Sequence, residues 1–165
     1  MGAGQDPDQL VDRVIGLAGR IDFGRRYYEC YASLDERAGG RGYHPDRAEL
    51  AAVLVETGLD FVYSPRERFF EHTETHGGFE IVMGASFRTS SAEFTLYVTA
   101  GDTVAGGPYP RLARQAVQAV DPDFTPEPFA PKLPFANSEQ LREGVRFAAA
   151  LFGEFRDEFV KETPG

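Results

Sequence analysis

Tryptophan is absent from these 165 residues, cysteine occurs once and histidine three times. Cys30 alone excludes an intramolecular disulfide and every paired-cysteine metal motif. No apolar run approaches the roughly 20 residues that a membrane helix needs. The opening MGAGQDPDQL also lacks the basic-then-apolar layout of a secretory signal. These absences predict a cytoplasmic protein with no membrane partner. Positive charge is scarce as well. Seventeen basic residues, of which only Lys132 and Lys161 are lysine, stand against 26 acidic ones, for a net charge of -9 and a pI near 4.8. Such a surface disfavours nucleic acid, whose phosphates need a basic face to displace their counterions, and suits a basic protein partner. The skew toward arginine is in keeping with a GC-rich bacterial genome. Catalytic signatures are missing too. There is no G-x-S-x-G elbow and no dinucleotide fingerprint, and AGGRG lacks the strand, lysine and helix of a phosphate loop.

What is present is enough for a core. Hydrophobic residues make up 42% of the chain, and its fourteen Phe and seven Tyr are spread along the whole length, which predicts one domain over 1–165. Helical spacing runs from about Asp6 to Ala18, with Asp6 as N-cap, Pro7 behind it and a stripe of Leu10, Val14, Leu17 and Ile21. Residues 24–37 fit helix or strand, with helix preferred, and HPDRAELAAVLVETG reads as a helix with Pro45 in its first turn and Gly58 past its end. From Leu59 the period becomes two, and four segments, LDFVY, RERFFEHTETH, FEIVMGASFR and AEFTLYVTA, predict an antiparallel meander. A Ser90-Ser91 turn would pair Phe87 near Phe94 and set Arg88 opposite Glu93 as an ion pair on the outer face. A helix from about Pro108 follows. The five prolines of 121–137 then predict an extended strap lying along its own domain. Last comes a long helix, capped by Asn137 and Gln140, with a stripe of Leu141, Val145, Ala148, Phe152, Phe155 and Phe159. That stripe either covers the sheet, which is the preferred reading, or joins a second copy as a homodimer. The expected class is α+β: N-terminal helices, a meander of about four strands, and two C-terminal helices packed on one face.

The one cluster with a chemical look is EHTETHGGFE, residues 71–80. Its faces depend on a single loop. If His76, Gly77 and Gly78 form a three-residue loop, Thr75 pairs with Phe79, and His72, Glu74 and His76 point outward. A two-residue Gly77-Gly78 turn reverses every side chain of the strand. Burying an unpaired carboxylate costs several kcal/mol, which favours the outward arrangement. Imidazole and carboxylate on alternate positions suit zinc, iron or manganese. But residues two apart on a strand are roughly 6.6 Å apart, so His72 and His76 are about 13 Å apart and at most two of the three are natural co-ligands. A solvated strand face is therefore preferred to a metal site at His72, Glu74 and His76, and no cofactor is expected beyond that alternative divalent ion.

Other candidates are simpler. Cys30, with no adjacent base, reads as a small buried residue rather than a nucleophile. GDTVAGGPYPR, a loop entering a helix, reads as a glycine-bent strand end capped by a helix in preference to an anion site made by free backbone N–H groups and Arg111. Arg20, Arg25, Arg26 and Arg41 lie near Tyr27, Tyr28, Tyr31 and Tyr43 in sequence, a mixture that suits either recognition or a half-buried aromatic layer. At the level of architecture and charge alone, the chain resembles bacterial immunity proteins or acidic secretion chaperones, and no site residue is carried over from either. The leading expectation is a noncatalytic binding protein, monomeric or dimeric through its last helix. Its contact surface would include Glu80, Glu93, Thr95, Tyr97 and Arg111. The alternatives are a metal-dependent protein at the histidine trio and a small-ligand binder with a pocket between sheet and helices.

Overall fold

Residues 6–40 and 42–164 are described by a computed structural model, and Arg41 lies outside them. Three helices come first: α1 (Pro7–Arg20), α2 (Phe23–Ala38) and α3 (Arg47–Val55). The Asp6 carboxylate accepts from the Asp8 N–H at 2.9 Å, and that of Asp46 from the Glu49 N–H at 2.8 Å, satisfying amides that a helix start leaves unpaired. Pro45 thus precedes the cap of α3 rather than sitting in its first turn. The ambiguous 24–37 is helix throughout, because Phe23, Tyr27 and Leu34 make one buried face.

A meander follows, β1 (Val62–Ser64), β2 (Phe69–His76), β3 (Phe79–Arg88), β4 (Ser91–Ala100) and β5 (Thr103–Pro108), then α4 (Tyr109–Gln118), a two-residue β6 (Leu133–Pro134) and α5 (Ser138–Glu162). All five meander strands are antiparallel neighbours in chain order, and β6 pairs with β4. The sheet therefore exceeds the expected four strands. The missed β5 has the sequence TVAGGP, whose two glycines and proline hide its period, and β6 contains a proline at a short outlying position where a missing donor is tolerated.

Two registers differ from expectation. The turn between β3 and β4 is Thr89-Ser90, so Arg88 lies opposite Ser91, and Glu93 lies opposite Ser86. A slip of two keeps the faces and removes the expected Arg88–Glu93 pair. Glu93 instead meets the Lys132 amine at 3.4 Å. Between β2 and β3 the slip is one residue. His76 pairs with Phe79, and the turn is Gly77-Gly78 with φ of 57° and 83°. Left-handed backbone at both central positions is what a tight hairpin demands and what glycine supplies without strain.

One face of the sheet carries Phe70, Ile81, Met83, Phe94, Leu96 and Val98, all buried beneath the helices. The whole α5 stripe is buried within the chain as well, so here it covers the sheet, the first of its two readings. The strap joins the same core through Leu133 and Phe135, and the Tyr27 hydroxyl donates to the Pro131 carbonyl at 2.6 Å. Tyr109 ties α4 to α5 by donating to the Ala148 carbonyl at 2.8 Å. Burial raises both phenols above their ordinary range.

Helix α2 meets α4 at Gly24, where an added Cβ would stand 2.5 Å from both the Ala113 carbonyl oxygen and Val117 Cγ2. Gly24→Ala is expected to destabilise the fold by about 1–3 kcal/mol through overpacking, read as a lower urea midpoint at unchanged slope.

Candidate functional site

The Gly77-Gly78 turn reverses β2, so the expected outward trio faces the helices. His72 is 8% exposed, with its ring edge-on to Phe152 at 5.6 Å and tilted against Phe61 at 5.9 Å. Its Nε2 donates to Glu74 Oε2 at 2.7 Å, and its Nδ1 lies 3.1 Å from the Asp60 carbonyl oxygen. Glu74 also accepts from Arg156 Nη1 at 2.7 Å. The carboxylate argument for the outward arrangement therefore fails on a partner from α5, 82 residues away. His76 donates from Nε2 to the Thr163 carbonyl at 2.7 Å and fastens the end of β2 to the C-terminal segment. Among the described residues no three or more of His, Cys, Asp and Glu are arranged to hold a metal. The trio works as a clasp between β2, the segment before β1, and α5.

Cys30 is half-buried, and burial pushes its thiol up to about 12. Arg111 is engaged at the junction of β5 and α4, where its guanidinium donates to the Gly106 carbonyl. The arginines near the tyrosines are also engaged. Arg26 makes a two-pronged pair with Glu154, both bonds 2.8 Å, and Arg20 reaches Glu162 at 2.6 Å. Arg25 pairs with Asp22, and Arg37 with Glu143. Hydrogen bonds from Arg26 and Arg37 hold the Glu154 and Glu143 carboxyls below their usual range.

Among the described residues no helix covers the opposite face of the sheet, where Glu71, Thr73, Glu80 and Arg88 are exposed and Thr95 and Tyr97 half-buried. The registers set Val62, Glu71, Gly84 and Thr95 in one row, with the pairs Ser64–Phe69 and Ser86–Glu93 on the same face beside it. Glu80, Glu93, Thr95 and Tyr97 all lie on this outer face, as expected from their parity. Three of them border a depression of about 290 Å³ together with Glu67, Phe69 and Glu71. Gly84 lies at its floor with the Thr95 hydroxyl in the space that a Cβ would need. Toward the β1 edge a second hollow of about 500 Å³ shares Glu67, Phe69 and Glu71 and adds Asp60, Val62 and Thr73. Glu71 became visible as a surface residue only with the glycine turn, and Lys132 carries no sequence signal for its place beside Glu93. The space between sheet and helices, by contrast, is filled by Phe94, Tyr109, Phe152, Phe155 and Phe159, each without exposure.

Removing a buried, doubly bonded ring leaves a void and an under-bonded carboxylate. His72→Ala is expected to cost about 2–4 kcal/mol and His76→Ala about 1 kcal/mol in urea unfolding, whereas a solvated position would stay within about 0.5. Cys30 should react with iodoacetamide at pH 8 at least about a hundredfold more slowly than a free cysteine, since the thiolate is the reactive form. Comparison with family models, with curated proteins and with solved structures finds no match, so the functional reading rests on the geometry of these two faces.

Proposed function

We propose that this chain is a noncatalytic binding module whose uncovered outer sheet face engages a basic protein partner. The observation that carries the reading is the set of carboxylates that stand around half-buried aromatics on the outer face with few or no ion-pair partners. On the helical side arginines are taken up in pairs, among them Arg20, Arg26, Arg37 and Arg156. On the outer face Glu67 and Glu71 make no ion pair with a described residue, Glu80 only accepts from the Thr99 hydroxyl at 3.4 Å, and Glu93 has only Lys132. These carboxylates stand beside Phe69, Tyr97 and the 71% exposed Val62. Recessed aromatics with charge around them are the anatomy of a recognition surface. The noncatalytic part of the reading draws on the state of the reactive side chains: both ring nitrogens of His72 face oxygen acceptors, His76 is bonded to backbone, and the Cys30 thiol is held protonated.

Attraction between such a face and a basic partner acts through long-range charge, which salt screens over about 10 Å at 0.1 M. An octalysine peptide titrated into isotope-labelled protein is expected to shift the amides of β2, β3 and β4, with an affinity that falls as salt rises. The double variant Glu71→Lys, Glu93→Lys should abolish those shifts while remaining folded. Shifts scattered over α1, α2 and α5, or affinity independent of salt, would count against the reading.

A further inference from the structure

We infer that the depression over Gly84 is a subsite for one arginine side chain of the partner, and that Lys132 is the group this arginine displaces from Glu93. This rests on the reading of the outer face as the partner surface, and adds which cation the surface takes and where.

The first part of the argument is shape. Gly84 stands in the middle of β3, between Glu71 on β2 and Thr95 on β4, and the Thr95 hydroxyl lies over it where a Cβ would stand, so the floor of the hollow is β3 backbone and a hydroxyl. The walls are of two kinds. Phe69 and Tyr97 offer half-buried aromatic surface, and Glu67, Glu71 and Glu93 offer carboxylates. A planar, weakly hydrated guanidinium matches both at once, because its face stacks on an aromatic ring while its edge donates two parallel hydrogen bonds to a carboxylate. An ammonium is a compact, strongly hydrated point charge that meets the carboxylates alone. The chain uses the guanidinium-on-ring pairing elsewhere, with Arg114 3.8 Å from the centroid of Phe129 and Arg47 4.8 Å from that of Tyr63.

The second part is occupancy of the rim. Strand β6 pairs Leu133 with Ala92 and Pro134 with Ser91, which brings the preceding residue, Lys132, beside Glu93. Their contact at 3.4 Å is half-exposed on both sides. A cation of this chain thus already neutralises one carboxylate of the depression. An exposed pair of this kind is worth at most about 1 kcal/mol, so an incoming forked donor can replace it. The strap that carries Lys132 is anchored by Leu133 and Phe135, so the exchange needs only the lysine side chain to swing away.

Three capped pentapeptides separate the possibilities, with arginine, lysine or citrulline at the centre between threonine and glycine residues. Citrulline keeps the shape of arginine and lacks the charge. The arginine peptide is expected to shift the amides of Gly84, Thr95 and Tyr97 saturably and to bind about fivefold more tightly than the lysine peptide, with no saturable shift from citrulline. Glu71→Gln should weaken the arginine peptide by about fivefold, and Lys132→Ala should strengthen it by about threefold, both in protein whose thermal midpoint is unchanged. Equal binding of arginine and lysine, or an unaltered affinity in Glu71→Gln, would overturn the subsite. An unaltered affinity in Lys132→Ala would overturn the displacement. If the pentapeptides fail while octalysine still maps to β2–β4, the arginine inference falls alone; if octalysine fails too, the reading of the face falls with it.

Discussion

The turn at Gly77 and Gly78 decides which side of β2 meets the core, and both faces of the sheet depend on that decision. Side chains alternate along a strand, so a slip of one residue exchanges them all. With the two-residue turn, Phe70, His72 and Glu74 go under the helices, and Phe69, Glu71 and Thr73 go to solvent. The inner arrangement is tolerated because Arg156 and His72 both donate to Glu74, so the carboxylate is not left unpaired where water is scarce. The same turn is held in place from outside. A side chain at Gly77 would lie 2.7 Å from the Pro164 carbonyl oxygen, and His76 beside it donates to Thr163. Glycine is thus required twice at this position, for its backbone angle and for the closeness of the C-terminal segment.

The ion pairs of the helical side have an effect beyond stability. Exposed pairs are each worth about 0–1 kcal/mol, too little to explain why helices α1 and α2 sit where they do against α5. That placement follows from Leu10, Val14, Leu17, Tyr27 and the α5 stripe, which share one core. What the pairs do is consume arginine charge on one side of the molecule. On the sheet face opposite, Glu67 and Glu71 make no ion pair with a described residue, and Glu93 has Lys132. The field of the protein is set by this distribution more than by the total.

Much of the fold could be read from local pattern, and the candidate site could not. The α5 stripe, the Asp6 and Asn137 caps and the inward parity of Ile81, Met83, Phe94 and Leu96 are properties of short segments, and each stands as expected. The capping box is one residue looser than anticipated, with the Gln140 side chain reaching the Ala136 N–H rather than that of Asn137. Parity also placed Glu80, Glu93, Thr95 and Tyr97 on the outer face. The depression needed more, namely the reversed β2 and the Lys132 contact made through β6. Both are long-range facts: the first depends on Arg156 at 82 residues' distance, and the second on a strand two residues long inside a proline-rich strap. Arg111 stands at a helix entry, and one of its guanidinium nitrogens donates to the Gly106 carbonyl.

An uncovered sheet face carries a hazard that constrains what it can bind. Open edges invite another strand, and a concave face with aromatics invites another copy. This fold limits the first at both edges. Strand β1 is three residues long, and β5 ends in Gly106, Gly107 and Pro108, the glycines at φ of 100° and 154°, with Arg111 bonded across the Gly106 carbonyl. The second is limited by charge. Two copies face to face would gather the Glu67, Glu71 and Glu80 carboxylates of both into one interface, and like charge opposes that association. A basic partner meets no such penalty. On the proposed reading the acidic rim would do two things with the same residues, oppose self-association and leave the aromatic walls open to a cationic side chain, which is how a surface gains specificity by repulsion as well as by attraction.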